Sequence, residues 1–261
     1  MALNAVKILF LSLIACGVIT ACVSEPKVNL NTPEGLFQMG EFYQKQDRYE
    51  EAIQQYKTLS NKFPYSKLAT EAELQVADCH YKREEFIESA AAYKTFKELH
   101  PRYARIDYVT WAAAESLRQQ LPATVDKDLA QATPAIAFYE EIVTLYPTSP
   151  HAAEAKENRL KLIQMLADKE IYIADFYYRQ EKYISALTRY EQFLQSFPQN
   201  QRVPYVLLWA LKSADKVKAQ DKLRQYASVL QANYPSTREA KQAKSEFPNA
   251  ARWKHGSVKF G

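Results

Sequence analysis

Apolar side chains in this chain recur with a helical period. Leu36, Met39, Gly40 and Tyr43 lie at i, i+3, i+4 and i+7, one face of a helix. Ala52, Tyr56 and Leu59 mark the same face on a second helix, and Phe63-Pro64 closes it, because proline disfavours helical geometry in the residue before it. Gly40 and Ala52 are small, so two antiparallel helices can approach there, with the aromatic side chains filling the space alongside. The pattern returns ahead of later prolines. Ala77, Ser89 and Tyr93 precede Pro101, Ala135 and Tyr139 precede Pro147, and Ala174, Tyr177, Ala186 and Tyr190 precede Pro198. These share the offsets −24, −21, −12 and −8 that Gly40, Tyr43, Ala52 and Tyr56 keep from Pro64. Ahead of Pro235 the unit is degenerate: Leu211, Leu223 and Ala227 hold three offsets, and Leu207 matches Leu36.

This is the spacing of the tetratricopeptide unit. It predicts an all-α fold, an α-solenoid of about five tetratricopeptide-like helix pairs over residues 33–246, with insertions in the third and fourth repeats. Thr32-Pro33-Glu34 reads as a helix start: hydroxyl cap, proline in the first turn, then an acid. Asp47 with Glu50 has capping-box spacing for the second helix. The second repeat runs from Lys67 to Pro101. The third carries nine extra residues within Gln120 to Pro134; its first helix holds Asp107 to Ala114, and Thr133-Pro134 reads as the cap of its second. The fourth is longer by 14 residues, which predicts one helix from Pro150 to Arg179. That helix has to bury Leu160, Ile163 and Leu166 within the protein or against a partner. The fifth spans Val203 to Tyr234, and Ser236 with Glu239 marks a closing helix that shields the last repeat.

Composition narrows the function. Only 5 glycines in 261 residues exclude a turn-rich β fold or a phosphate-cradling loop. A net charge of +4 is too weak to argue for nucleic acid. The first residues read as an export signal: Lys7, then the apolar run Ile8 to Ala15. Extended to Val23, the run is still shorter than the roughly 20 residues a spanning helix needs. Two stretches have the apolar-x-small-Cys form of a lipobox, Leu13-Ile14-Ala15-Cys16 and Ile19-Thr20-Ala21-Cys22. Cleavage before Cys22 leaves a polar start, Val-Ser-Glu-Pro-Lys, whereas cleavage before Cys16 leaves an apolar one. Cys22 is therefore the expected lipidation site, with Cys16 as the alternative. Residues 1–21 form the signal, and 22–32 a lipidated tether that anchors the chain to the membrane. Neither cysteine is followed by Asp, the usual inner-membrane retention residue, so the pattern implies the periplasmic face of an outer membrane. Residues 247–261, with Arg252, Lys254, His255 and Lys259, are a basic tail expected to be poorly ordered. Cys79 reads as a small buried hydrophobe.

Catalytic and metal chemistry find no footing. The histidines His80, His100, His151 and His255 lack zinc spacing, and no G-x-S-x-G, P-loop or GxGxxG occurs. His151 and Glu154 read as a solvated surface pair, and the adjacent acids Glu50-Glu51 and Glu140-Glu141 as solvent faces. The expectation is a protein without enzymatic activity, cofactor or metal.

Lipobox, tether, five repeats and enlarged third and fourth repeats together resemble the BamD family, lipoproteins of the outer-membrane β-barrel assembly machinery. The resemblance covers Pro33 to Pro235. It is carried by Asp47 to Pro64, Ile106-Asp107-Tyr108-Val109, Phe138-Tyr139 to Tyr146-Pro147, and Asp168-Lys169 through Arg189 to Pro198. Ile-Asp-Tyr-Val after a His-Pro turn is the most specific piece, and the tail beyond Pro248 departs from the family pattern. The resemblance implies a periplasmic scaffold with a BamA-like barrel protein and other assembly-complex lipoproteins as partners. Its C-terminal repeats would hold the BamA subunit, and its N-terminal repeats would offer a groove to unfolded outer-membrane proteins. It further implies that Arg189, nine residues before Pro198, touches BamA; from the residues alone, Arg189 is an arginine on an exposed helix face. A second class stays open: a periplasmic repeat lipoprotein organising cell-envelope proteins such as Tol-Pal or peptidoglycan factors. Those proteins carry a coiled coil ahead of their repeats, and this chain shows no heptads. Mass spectrometry of the mature N-terminus should find the lipid on Cys22; lipid on Cys16 overturns that placement.

Overall fold

The computed structural model describes residues 24–250. These form eleven helices and no strand among the described residues. The chain divides into two units, residues 1–79 and 80–261. The first holds α1 (Pro33–Gln44), α2 (Tyr49–Lys62) and most of α3 (Lys67–Lys82). Thr32 caps α1 as its sequence predicts: its Oγ1 accepts from Gly35 N at 3.1 Å, with proline in the first turn. Leu36, Ala52, Ile53, Tyr56, Ala72 and Cys79 share one buried cluster, so the cysteine does sit in the core. Gly40 faces the Tyr56 ring so closely that a Cβ built on it would lie 2.5 Å from Cε1. The Tyr56 hydroxyl reaches across to donate to Gln44 Oε1 at 2.9 Å. Residues 24–31 carry no helix, yet they are tied to the first repeat. Glu25 accepts from the Tyr43 hydroxyl at 3.0 Å and sits 3.6 Å from Arg48.

The second unit continues with α4 (Phe86–Leu99), α5 (Ile106–Gln119), α6 (Ala132–Leu145), α7 (Ala152–Arg179), α8 (Tyr183–Ser196), α9 (Val203–Lys216), α10 (Gln220–Asn233) and α11 (Arg238–Glu246). Each helix from α4 to α10 packs on the next, and α11 covers both α9 and α10. Nearest-neighbour stacking of this kind, closed by a terminal helix, is the solenoid plan. Tyr93, Tyr139, Tyr190 and Ala186 are buried at the offsets the repeat assigns them.

Four of the turns within helix pairs share one device that the sequence conceals. Asp47, Glu84, Glu181 and Lys218 have φ between 57 and 61°. The next N–H in each case bonds back to the helix before it: Arg48 to Tyr43, Glu85 to His80, Lys182 to Tyr177 and Ala219 to Ala214. The left-handed conformation costs a non-glycine residue about 1–2 kcal/mol. Asp47 is thus the turn residue and not a helix cap; α2 begins at Tyr49, and no side chain caps it. The third repeat replaces the turn with its insertion, pinned by buried Leu129 and by Lys169 Nζ donating to the Val125 carbonyl at 3.4 Å.

Other expectations shift by small steps. Helix α6 starts at Ala132, so Thr133 lies inside it and does not cap it. Pro134 is tolerated there because first-turn N–H groups have no intrahelical acceptor. The last helix is capped by Thr237, which accepts from Ala240 N at 3.2 Å, and not by Ser236. The long fourth-repeat helix exists, but it buries Ala155, Asn158, Leu162 and Ala167. Leu160 stays 52% exposed, and Ile163 and Leu166 are only half-buried. The stripe facing α6 is therefore rotated from the one expected. In the degenerate fifth repeat the aromatic moves one residue earlier. Tyr226 is buried beside Ala227, and its hydroxyl bonds Glu191 on α8. Replacing Gly40 by alanine should destabilise the protein by about 1–3 kcal/mol, the usual cost of overpacking, less about 1 kcal/mol of helix propensity returned by alanine. Thermal unfolding measures this, and a raised Tm contradicts the close approach.

Candidate partner-binding site

Arg189 lies on α8, one residue before the buried Tyr190, and its side chain is 38% exposed. Two acceptors hold it: Glu170 Oε2 on α7 at 3.4 Å and Gln192 Oε1 one turn along α8 at 3.2 Å. Both contacts use the same guanidinium nitrogen, Nη1. The Nε/Nη2 edge makes no hydrogen bond among the described residues. That edge is the fork with which arginine grips a carboxylate side-on. Thr188, beside it, donates back to the Ile184 carbonyl at 3.1 Å, and Ile184 is an exposed aliphatic side chain. Arg189 is therefore a half-engaged arginine, a richer setting than its isolated position on a helix face implied.

Helix α8 is held in place by a polar tie. Asp175 on α7 accepts from the Tyr190 hydroxyl at 2.6 Å and from the Tyr205 hydroxyl of α9 at 2.8 Å. One carboxylate thereby joins three consecutive helices. Burial, and then the bond to Asp175, raises the pKa of both phenols above the ordinary tyrosine value, so they remain donors at any physiological pH. The third repeat repeats the arrangement. Glu115, only 2% exposed, accepts from Tyr139 on α6, from Asn158 on α7 at 2.8 Å and from Arg118 at 2.6 Å. The bond to Glu115 in turn raises the Arg118 pKa, so the buried carboxylate keeps a charged partner. On α8, Glu191 receives Lys222 at 2.7 Å as well as Tyr226.

Two surface expectations change. His151 does not pair with Glu154 but stacks on Trp111, with ring centroids 4.4 Å apart and 19° between planes. Glu141 faces Lys97 at 2.6 Å and Glu140 faces Arg159, so both acids tie helices together. Glu50-Glu51 does face solvent, where Glu51 pairs with Arg48 at 2.9 Å. Cys22, Cys16 and the basic residues Arg252, Lys254, His255 and Lys259 lie outside the described residues. Among the described residues no group of three acids, histidines or cysteines could hold a metal ion, and no helix is long and apolar enough to cross a membrane.

Known proteins define the class. The YfiO family, described as outer membrane lipoproteins, matches residues 30–230. The chain belongs to that family. Its relatives include the outer membrane protein assembly factor BamD of Neisseria gonorrhoeae, 27% identical over 201 residues and covering 72% of this chain and 74% of that protein. The BamD of Vibrio cholerae is 22% identical over 231 residues, covering 85% and 96%. That of Xylella fastidiosa is 26% identical over 251 residues, covering 90% and 84%. Among solved structures, the TPR2AB domain of yeast Sti1 in its pHSP90 complex gives a TM-score of 0.44 at 12% identity, covering 85% of this chain and 88% of that one, a likeness too distant to argue from. Removing the shared acceptor on α7 should loosen the helices around Arg189. Asp175→Ala strands two largely buried hydroxyls, at about 1–3 kcal/mol for each. Tyr205→Phe should cost less, because it removes a hydroxyl along with its bond. Denaturant titration of both variants distinguishes these, and equal small losses would show that Asp175 is not the common acceptor.

Proposed function

We propose that this protein is a non-enzymatic scaffold for outer membrane protein assembly, associated with the outer membrane. In this role its fourth and fifth repeats hold a BamA-like barrel subunit, and its N-terminal repeats receive segments of unfolded outer-membrane proteins. The observation that carries the reading is the family match across residues 30–230, with relatives named as assembly factors. The site chemistry supports it. A scaffold needs a rigid element presenting an incompletely satisfied charged group, and α8 presents the open edge of Arg189. A planar fork suits a partner carboxylate better than lysine would. The lipid expected on Cys22 would hold the scaffold at the periplasmic face of the membrane, beside other lipoproteins of the complex.

Arg189→Glu should reverse the charge on that edge and repel a partner acid. Co-purification of the barrel subunit from membranes should fall, while helicity and export stay as in the parent. If the ion pair is desolvated in the complex, its loss costs about 2–5 kcal/mol of binding. Changing the partner acid to lysine should restore part of the recovery. Undiminished co-purification of the barrel subunit with Arg189→Glu rules Arg189 out as the contact.

A further inference from the structure

A second surface lies on the second and third repeats, on helices other than the α8 that carries Arg189. Helices α4 and α6 are the second helices of neighbouring repeats, and both pack on α5. Between them runs a cleft made of three adjoining hollows of about 540, 450 and 450 Å³. Ile87, Gln120 and Gln131 are common to the first two, and Lys94, Phe138 and Glu141 to the last two. The cleft is open because its walls are short where helices usually carry longer side chains: Ala90 and Ala91 on α4, Ala137 on α6. Leu117 and Pro134 line it as well, and Ile87 stands 69% exposed at its edge. Helix α4 has 14 residues, about 20 Å at 1.5 Å per residue, which matches roughly four turns of a second helix.

Charge along the cleft is uneven. At the end where α4 begins, Glu84, Glu88 and Asp128 line it, and none of the three makes an ion pair among the described residues. At the far end Lys97 is already paired with Glu141, and Lys94 and Glu98, of opposite charge, both line it. The acid end is therefore the only strongly charged part of this cleft. An occupant needs an apolar face for the middle and cations for that end. A helix laid antiparallel to α4 puts its own last turn over the acids, where lysine or arginine also favours its dipole.

We propose that the α4–α6 cleft is a docking site for an amphipathic helix of a separate protein, with an apolar face and a basic last turn. The surface is independent of Arg189 and does not rest on the reading given for it.

The test uses the mature chain in detergent and two fluorescein-labelled 15-residue helical peptides. Both carry leucine and alanine on one face; one ends in three lysines, the other in three glutamates. Fluorescence anisotropy should show the lysine-ended peptide binding at least tenfold more tightly, with affinity falling as salt rises. Ala137→Trp, which fills the cleft from α6, and Ala91→Arg, which fills it from α4, should each weaken binding tenfold or more. Both positions are exposed on their helices, and unchanged circular dichroism verifies the fold. Glu88→Lys with Asp128→Lys should abolish the preference between peptides. Equal binding of the two peptides, binding undiminished in both filled variants, or equal binding of a proline-interrupted peptide overturns the proposal. So does sedimentation showing that the parent self-associates while the filled variants do not, because the occupant is then a second copy.

Discussion

The structure depends on a hydrogen bond made by a buried tyrosine. In each well-formed repeat the phenol ring fills the space beside a small residue, and the apolar body of the ring favours burial. The hydroxyl at its tip does not. Left without a partner it would cost about 1–3 kcal/mol, so the first helix of the pair supplies an acceptor: Gln44 for Tyr56, Glu115 for Tyr139, Asp175 for Tyr190. In the third and fourth repeats the same acceptor also takes a bond from the following repeat, from Asn158 and Tyr205. Burial within a pair and registry between pairs thus meet at one carboxylate. A solenoid has only nearest-neighbour contacts to fix its geometry, and this tie makes that contact directional.

Much of this was legible in the chain. The alanine and tyrosine offsets located the helix pairs, and the prolines located their ends, because both are set by steric demands that act over a few residues. The acids were legible in principle but went unread. Once the nine inserted residues of the third repeat are removed, the acceptors Glu115 and Asp175 each stand fifteen residues ahead of their tyrosine, whereas Gln44 stands twelve ahead of Tyr56. The insertion hides that spacing. The turns could not be read at all: the left-handed position is held by Asp47, Glu84, Glu181 and Lys218, residue types with no common signature. Their conformation is imposed by the two helices they join. Tyr226 escaped for a related reason, since at the last repeat the ring reaches back to α8 and a different offset serves. Of the site, Arg189 came from family resemblance. Its restraint by Glu170 depends on two helices lying side by side, which no local pattern encodes.

Under the proposed function, Arg189 would be a binding group kept ready without being satisfied. An arginine with no neighbour would sample many rotamers and lose that freedom on binding. One buried in a full ion pair would have to break it. Here a single nitrogen is held by two contacts longer than 3 Å, which restrict the side chain while one edge stays open. The Asp175 tie, by fixing α7 against α8, keeps the Glu170 contact in register.

The anchoring of the segment before the first repeat carries a geometric consequence. Glu25 is held by Tyr43 and Arg48, and it follows Cys22 by three residues. For a chain acylated at Cys22, only those three residues separate the lipid from a side chain that the first repeat holds, and not the whole stretch to Pro33. Fully extended, the three residues reach about 10 Å, little more than the polar headgroup layer, which is about 5–8 Å deep on each side of a bilayer. The first helix pair would then ride at the lipid surface on a short pivot. The height of that pair above the bilayer is then set by three residues and no longer by the length of the stretch to Pro33.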